Sequence, residues 1–251
     1  MPTDKRATVS CIIPARNESG YLKELITEVL KIRQISEIVI VEGGSSDNTW
    51  EVIQEIQRAH PSVITALQQS GTGKFNAVLC GAATVRADYV LIWDADGTVS
   101  PTDTLSVINL ALQTQSPVIG NRLKGSIAPG AMRFANYMGN WLFAFAWAPI
   151  LKFKMTDMLC GTKIFPTSIL TELPKGLIDA DPYGDFALVA FSRLKGRDVL
   201  SIPVDYKARV YGTTNIKRWS GGIALLLCTI RVYFLITNSL WASKVKKIQN
   251  S

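Results

Sequence analysis

The sequence predicts an α/β fold, Rossmann-like, with a mostly parallel sheet flanked by helices. Short β-branched runs alternate with segments of helical period through the first hundred residues. Loops rich in glycine, proline and acidic residues follow these runs, and Tyr89–Trp93 is apolar throughout. Strand, helix, strand in succession implies right-handed parallel crossovers. A continuous apolar run too short for a core helix reads as a strand covered on both faces.

Ala7–Ile13 is the first predicted strand, and Pro14-Ala15-Arg16-Asn17-Glu18 the loop after it. Ser19 is placed to cap a helix whose apolar positions Leu22, Leu25, Ile26, Val29 and Leu30 recur at helical spacing. Glu37–Val41 is the second strand, followed by Glu42-Gly43-Gly44-Ser45-Ser46-Asp47 and a helix over Thr49–Arg58, with Asp47 at its cap. Glycines and an acid past a strand also suit a nucleoside pocket, where the backbone comes close and a carboxylate takes hydroxyls. Val63–Gln68 is the third strand. Gly71-Thr72-Gly73-Lys74 lacks the spacing of a P-loop but places a lysine where a phosphate can be met. A helix from about Phe75 to Val85 leads to the central strand.

That strand runs into Asp94-Ala95-Asp96-Gly97. Open α/β sheets bind ligands beyond the carboxyl ends of their strands. Alternate residues of an extended segment point the same way, so both carboxylates can approach one ligand. Two hard oxygen donors there suit Mg²⁺ or Mn²⁺ held together with a diphosphate. An Asp-rich turn is the structural alternative.

At 251 residues the chain can bury a sizeable core, and its formal charge of +7 wants an anionic partner. The 47% hydrophobic content favours a membrane surface over nucleic acid. Cys11, Cys80, Cys160 and Cys228 stand singly and Met1 leads into polar residues, which points to a reduced, cytoplasmic chain. The only histidine, His60, precedes Pro61 in a polar segment and gives no basis for a histidine metal site or a serine triad.

Four blocks taken together, SCIIPARNES, IVIVEGGSSDNTW, GTGKFNAV and YVLIWDADGTVSPTD, resemble those of family 2 glycosyltransferases with the GT-A fold, and among these the dolichyl- and polyprenyl-phosphate sugar transferases. Later blocks extend the resemblance from about Val9 to Trp219: Val118–Arg122, Thr156–Phe165 with its D-x-x-C-G-x-K pattern, Asp179–Phe186, and Arg209–Ile216. The departure is Gly43, where many members carry a second aspartate after the position of Glu42.

The resemblance implies a metal-dependent, inverting transfer of a sugar from a UDP- or GDP-linked donor to a polyprenyl phosphate or other membrane-linked acceptor. Asp94 and Asp96 would hold the divalent cation, with Lys74 beside the diphosphate. Pro14, Arg16, Glu18, Glu42 and Asp47 would line the nucleoside pocket. Arg122, Arg133 and Arg209 are candidates for an anionic acceptor, since guanidinium groups fit phosphate. A phosphate acceptor is already ionised and needs no base. A hydroxyl acceptor needs one, with Asp185 first and Asp181 second. A soluble or glycan hydroxyl acceptor is one alternative, and a non-catalytic nucleotide-sugar or lipid-binding module another.

Two segments fit a membrane surface. Arg133–Leu151 carries Phe134, Met138, Trp141 and Phe145 on one helical face, and Trp141 and Trp147 are expected in a headgroup layer, with Lys152 and Lys154 beyond. Gly221–Trp241 is long enough to span a bilayer, but Arg231 sits at its centre and lysines flank both ends. An interfacial or oligomer-packing helix is therefore expected, with spanning as the alternative. The division is a GT-A domain over 1–218, its interfacial helix at about 133–151, and a membrane-associating helix over 219–251. The expected location is peripheral, at the cytoplasmic face of a membrane and serving the cell envelope, with a homo-oligomer through the C-terminal helix possible.

Overall fold

The structure is a computed structural model that describes residues 7–132, 134–151, 157–211 and 218–249. The first half alternates as expected: β1 (Val9–Ala15), α1 (Leu22–Val29), β2 (Ile35–Glu42), α2 (Thr49–Ala59), β3 (Ile64–Gln68), α3 (Lys74–Ala82) and β4 (Tyr89–Ile92). Then follow α4 (Pro101–Thr114), β5 (Val118–Asn121), α5 (Phe134–Leu151) and β6 (Lys163–Pro166). Two short helices, α6 (Thr167–Thr171) and α7 (Lys175–Ala180), precede α8 (Asp185–Leu194), β7 (Leu200–Pro203) and α9 (Arg218–Gln249).

The seven strands form one sheet in the order β3-β2-β1-β4-β6-β5-β7. The pairs of β1 with β2 and β4, of β2 with β3, and of β5 with β7 are parallel. β6 runs antiparallel between β4 and β5. Every residue of β4 is buried, as an apolar run covered on both faces requires. The reversal of β6 matters for the site: its first residue, Lys163, lies beside Ile92 at the end of β4. The segment entering β6 therefore reaches the same sheet edge as the loops leaving β1, β2 and β4.

Local expectations are corrected in several places. Pro14 and Ala15 belong to β1, extended by pairing with Val41 and Glu42. Ser19 does not cap α1; Tyr21 holds that position without a side-chain bond, and Ser19 Oγ donates to Asp47 Oδ2 at 2.8 Å. Trp147 is fully buried and stacked on Phe186, with centroids 5.9 Å apart, instead of facing headgroups. Asn140, Phe143 and Ala144 share its inward side, whereas Met138, Trp141 and Phe145 are exposed. Lys152 and Lys154 lie outside the described residues.

α9 packs against α5, α7 and α8, burying Cys228, Val232 and Ile236. Its outward stripe is Ile223, Leu226, Leu227, Ile230 and Phe234, recurring at helical spacing. Among the described residues no helix is long and apolar enough to cross a membrane. Arg231, at the centre of Gly221–Trp241, interrupts the apolar run and is itself exposed.

Candidate active site

The loops after β1 and β2 are bolted together by short polar side chains. Asp47 Oδ1 accepts from the Thr49 amide at 3.0 Å and from its hydroxyl at 2.5 Å, and Oδ2 accepts from Ser19. Burial opposes its charge, but these Thr49 and Ser19 bonds hold the Asp47 carboxyl below the usual range. Thr49 Oγ1 in turn accepts from the Glu18 amide at 3.0 Å, and Asn17 Oδ1 from the Ser46 amide at 2.8 Å. Glu42 is buried and accepts from the Ser45 amide at 2.5 Å. Pro14, Arg16, Glu18, Glu42 and Asp47 thus share one end of the sheet, with Gly43 between Ala15, Arg16 and Gln69.

At the end of β4, Asp94 pairs with Lys74, the first residue of α3. Burial works against the charge of Asp94, yet Lys74, with Lys163 and Arg122 further off, holds its carboxyl below the ordinary range. Asp96 Oδ1 accepts from the Thr98 amide at 3.1 Å and hydroxyl at 2.8 Å, and Oδ2 from Arg209 at 3.2 Å. Burial and the neighbouring Asp94 charge push the Asp96 carboxyl up, against Arg209 and Thr98. Gly161 fixes the back wall: a Cβ there would lie 1.7 Å from Asp94 Oδ2. Gly161→Ala is therefore expected to displace the carboxylate and cut turnover on the order of 10²-fold, read by initial rates beside circular dichroism. An active variant would show that this contact does not set the position of Asp94.

Arg209 comes from a strap whose backbone follows the carboxylate loop. The Lys207 amide donates to Thr98 O at 2.8 Å and the Val210 amide to Asp96 O at 3.3 Å. Its guanidinium bridges Asp96 and Glu18, at 2.5 Å from Glu18 Oε1. Glu18 Oε2 is buried without a hydrogen-bond partner. Burial pushes that carboxyl up; Arg209 opposes, and Asp96 and Asp94 add to the rise.

Arg122, expected on the acceptor side, is paired with Asp157. Nε and Nη2 donate to Asp157 at 2.7 and 2.8 Å, and the guanidinium lies 5.1 Å from the Tyr206 ring centroid. Asp157 is fully buried, and its charge raises the Arg122 pKa against the effect of burial. Arg133 and residues 212–216 lie outside the described residues.

Asp185 opens α8 and bonds to Lys163, which is 3% exposed. Asp181 is fully buried and accepts from the amides of Tyr183 at 3.1 Å, Phe186 at 2.7 Å and Ala187 at 2.9 Å. Oδ2 thus takes two amides of the first turn of α8, and Oδ1 holds the turn before it, so the residue expected as second base is also a cap for that helix. Gly184 turns the chain there with φ +77°, and a Cβ would strike the Phe75 ring.

Lys163, Asp157 and Gly161 are site residues to which sequence reasoning gave no role. Their signal was the D-x-x-C-G-x-K spacing, which contains all three.

The carboxylates fit a divalent cation of a particular kind. Among the described residues no group of three or more His, Cys, Asp or Glu side chains is placed to hold a metal. Asp94 and Asp96 instead offer hard oxygens, and the raised Asp96 carboxyl with the orphaned Glu18 oxygen marks an excess of negative charge. Mg²⁺ and Mn²⁺ accept such sites, taking one or two carboxylates and completing their shell with phosphate oxygens and water.

Comparison with known proteins gives this geometry a family. Residues 10–171 match Glycosyl transferase family 2. Glycosyltransferase AglJ of Haloferax volcanii is 29% identical over 90% of this chain and 72% of its own. UDP-N-acetylglucosamine–dolichyl-phosphate N-acetylglucosaminyltransferase of Methanococcus voltae is 27% identical, over 66% of this chain and 72% of its own. Dolichyl-phosphate beta-glucosyltransferase ALG5C of Trichomonas vaginalis is 25% identical, over 94% and 73%. Among solved structures, glucosyl-3-phosphoglycerate synthase of Mycobacterium tuberculosis with Mn²⁺, UDP and phosphoglyceric acid superposes with a TM-score of 0.63. It covers 90% of this chain and 78% of the synthase at 17% identity, a likeness of fold alone. With the family matched across the sheet from β1 to β6 and both carboxylates at its ligand-binding edge, the chain belongs to glycosyl transferase family 2 and is a glycosyltransferase that uses a nucleotide sugar.

Proposed function

We propose that the chain moves a sugar, with inversion, from a nucleotide diphosphate sugar to a polyprenyl phosphate or similar membrane-linked phosphate, with Mg²⁺ or Mn²⁺. One observation carries the acceptor: every carboxylate considered as a base is already engaged. Asp185 is held by Lys163 and Asp181 by three amides. A phosphate monoester brings its own negative oxygen and needs no base. The names of the Methanococcus and Trichomonas relatives, both dolichyl-phosphate transferases, agree with this acceptor.

In this reading the phosphate oxygen attacks the anomeric carbon from the face opposite the diphosphate. A carbon–oxygen bond to the acceptor forms as the bond to the diphosphate breaks, and the nucleoside diphosphate leaves with the electron pair. Asp94 and Asp96 would hold the cation, which would supply neutralisation of the charge gathering on that leaving group. Lys74 stands where it adds to this effect. Glu18, Glu42 and Asp47 present the polar end of the nucleoside pocket, with Pro14 and Arg16 beside it. Arg209 is the acceptor-side cation at the site, whereas Arg122 acts mainly by holding Asp157.

Residues 1–218 carry the chemistry and 219–251 the attachment. The outward faces of α5 and α9 form the surface that meets lipid; Trp141 and Phe145 stack there with centroids 5.8 Å apart, both more than half exposed. Fully burying such a side chain stabilises by about 1.5–3 kcal/mol. Trp141→Ser with Phe145→Ser is therefore expected to weaken binding to phosphatidylserine-containing vesicles by about an order of magnitude or more, leaving the melting temperature nearly unchanged. Equal co-sedimentation of the variant would remove this surface from the attachment.

The defining experiment is release of UDP or GDP from a panel of sugar nucleotides with Mg²⁺ or Mn²⁺, with and without a short polyprenyl phosphate. Cation-dependent release that rises with the lipid is expected. Turnover with a soluble hydroxyl acceptor and no effect of lipid would overturn the acceptor, and binding without turnover in every condition would overturn the reaction.

A further inference from the structure

Two buried-edge ion pairs stand side by side beneath the carboxylate loop, Lys74 with Asp94 and Lys163 with Asp185. They form one electrostatic cluster: Lys74 also feels Asp185, and Asp94 also feels Lys163. The two lysines differ in freedom. Lys163 is pinned by its backbone between Ile92 and Ile119 in the middle of the sheet, and its side chain is 4% exposed. Lys74 opens a helix at the rim, and its side chain is 39% exposed.

We propose that Lys163 is a positioning residue for donor loading: it holds Asp185 so that Lys74 is left to move from Asp94 to the incoming diphosphate. The assignment rests on the donor being a nucleotide diphosphate sugar, as proposed above. Charge balance supports it. The carboxylates Glu18, Asp94, Asp96 and Asp185 face the cations Lys74, Lys163 and Arg209, with Asp181 a further acid beside Asp185, which leaves the cluster net negative. A nucleotide diphosphate sugar carries about two negative charges and a divalent cation two positive, so loading both adds no net charge. The exchange is then one of partners: Asp94 gives up Lys74 for the cation, and Lys74 takes diphosphate oxygens.

The competitor in this exchange is Asp185. Without Lys163 it is an unpaired carboxylate at the edge of the core, close enough to draw Lys74 to itself, and retaining that lysine is the cheapest way to relieve a buried charge. Lys163 removes that pull. Its role requires neither contact with the donor nor proton transfer.

Calorimetric binding of UDP and of GDP in the presence of Mn²⁺ tests this, with each variant confirmed folded by circular dichroism at the temperature used. Lys163→Met is expected to weaken binding of the preferred nucleotide about tenfold, the scale of one charge-assisted contact. Lys163→Met with Asp185→Asn, which replaces the pair by neutral groups, is expected to restore binding to within about threefold of the native chain. The double variant also serves where the single one fails to fold. Native-like binding by Lys163→Met, or a double variant about as weak as a tenfold loss, overturns the proposal; the second result would mean that Lys163 itself touches the diphosphate. If the native chain binds neither nucleotide, the donor reading fails before the role of Lys163 is reached, and the assignment falls with it.

Discussion

Asp96→Asn is expected to lower cation-dependent sugar transfer by a factor on the order of 10³ while leaving the fold as stable as the native chain or slightly more so. The two effects have one cause. The Asp96 carboxyl is pushed up by burial and by the charge of Asp94, more than Arg209 and Thr98 pull it down. A group whose folded-state pKa is raised stabilises the fold when protonated and loses that contribution as pH rises through the folded value. At neutral pH its charge is therefore a cost to folding. The amide removes that cost, still accepts from Thr98, and leaves Arg209 its 2.5 Å bond to Glu18. Release of nucleoside diphosphate over a Mn²⁺ series and thermal unfolding without metal read the two halves separately. Activity within about tenfold of native would remove Asp96 from the cation site, and a loss of more than about 2 kcal/mol would make it structural.

Arg122→Met carries the largest expected effect on stability. Asp157 is fully buried, and Arg122 supplies a bidentate bond at 2.7 and 2.8 Å. Removing one partner of such a pair leaves an uncompensated buried charge, which costs about 3–5 kcal/mol. Replacing both by neutral groups costs far less, so Arg122→Met with Asp157→Asn should recover most of the loss in urea denaturation. The recovered fold then isolates the functional question. If Arg122 also bound the acceptor phosphate, the double variant would show a raised acceptor KM with unchanged donor binding; an unchanged acceptor KM would confine Arg122 to holding Asp157. A single variant that unfolds at the native urea midpoint would contradict the pairing itself.

The first half of the fold was legible because its signals are local. Apolar runs, helical periods and glycine-rich ends all lie within a few residues of the elements they specify, and β1 to β4 appear in that order with boundaries shifted by a few residues. The position of Asp94 and Asp96 at the ligand-binding edge was legible for the same reason: a strand end and two alternate carboxylates are one local statement. What sequence could not supply was the partner of each charge. Lys163 meets Asp185 and Arg122 meets Asp157 only through tertiary packing, so each read as an unattached cation or acid. The burial of Asp181 and its three amides likewise depend on how α8 docks. Trp141 and Trp147 show the limit within one helix. Six positions apart, they project from different sides of a helix with 3.6 residues per turn, and only the packing of Phe186 and Tyr233 shows which side is inside.

The antiparallel course of β6 also sets the order in which a growing chain becomes competent. β1 to β4 are complete by Ile92, and the carboxylates follow at once, but Gly161 and Lys163 emerge only after α5 has been made. Until β6 is inserted between β4 and β5, the far edge of β4 is unpaired and Asp94 lacks its back wall. A nascent or truncated chain ending before β6 therefore carries Asp94, Asp96 and an open apolar strand edge together, a state inclined to pair with other strands. Insertion of β6 therefore does two things at once: it covers the open edge of β4 and sets Gly161 and Lys163 behind the carboxylate loop.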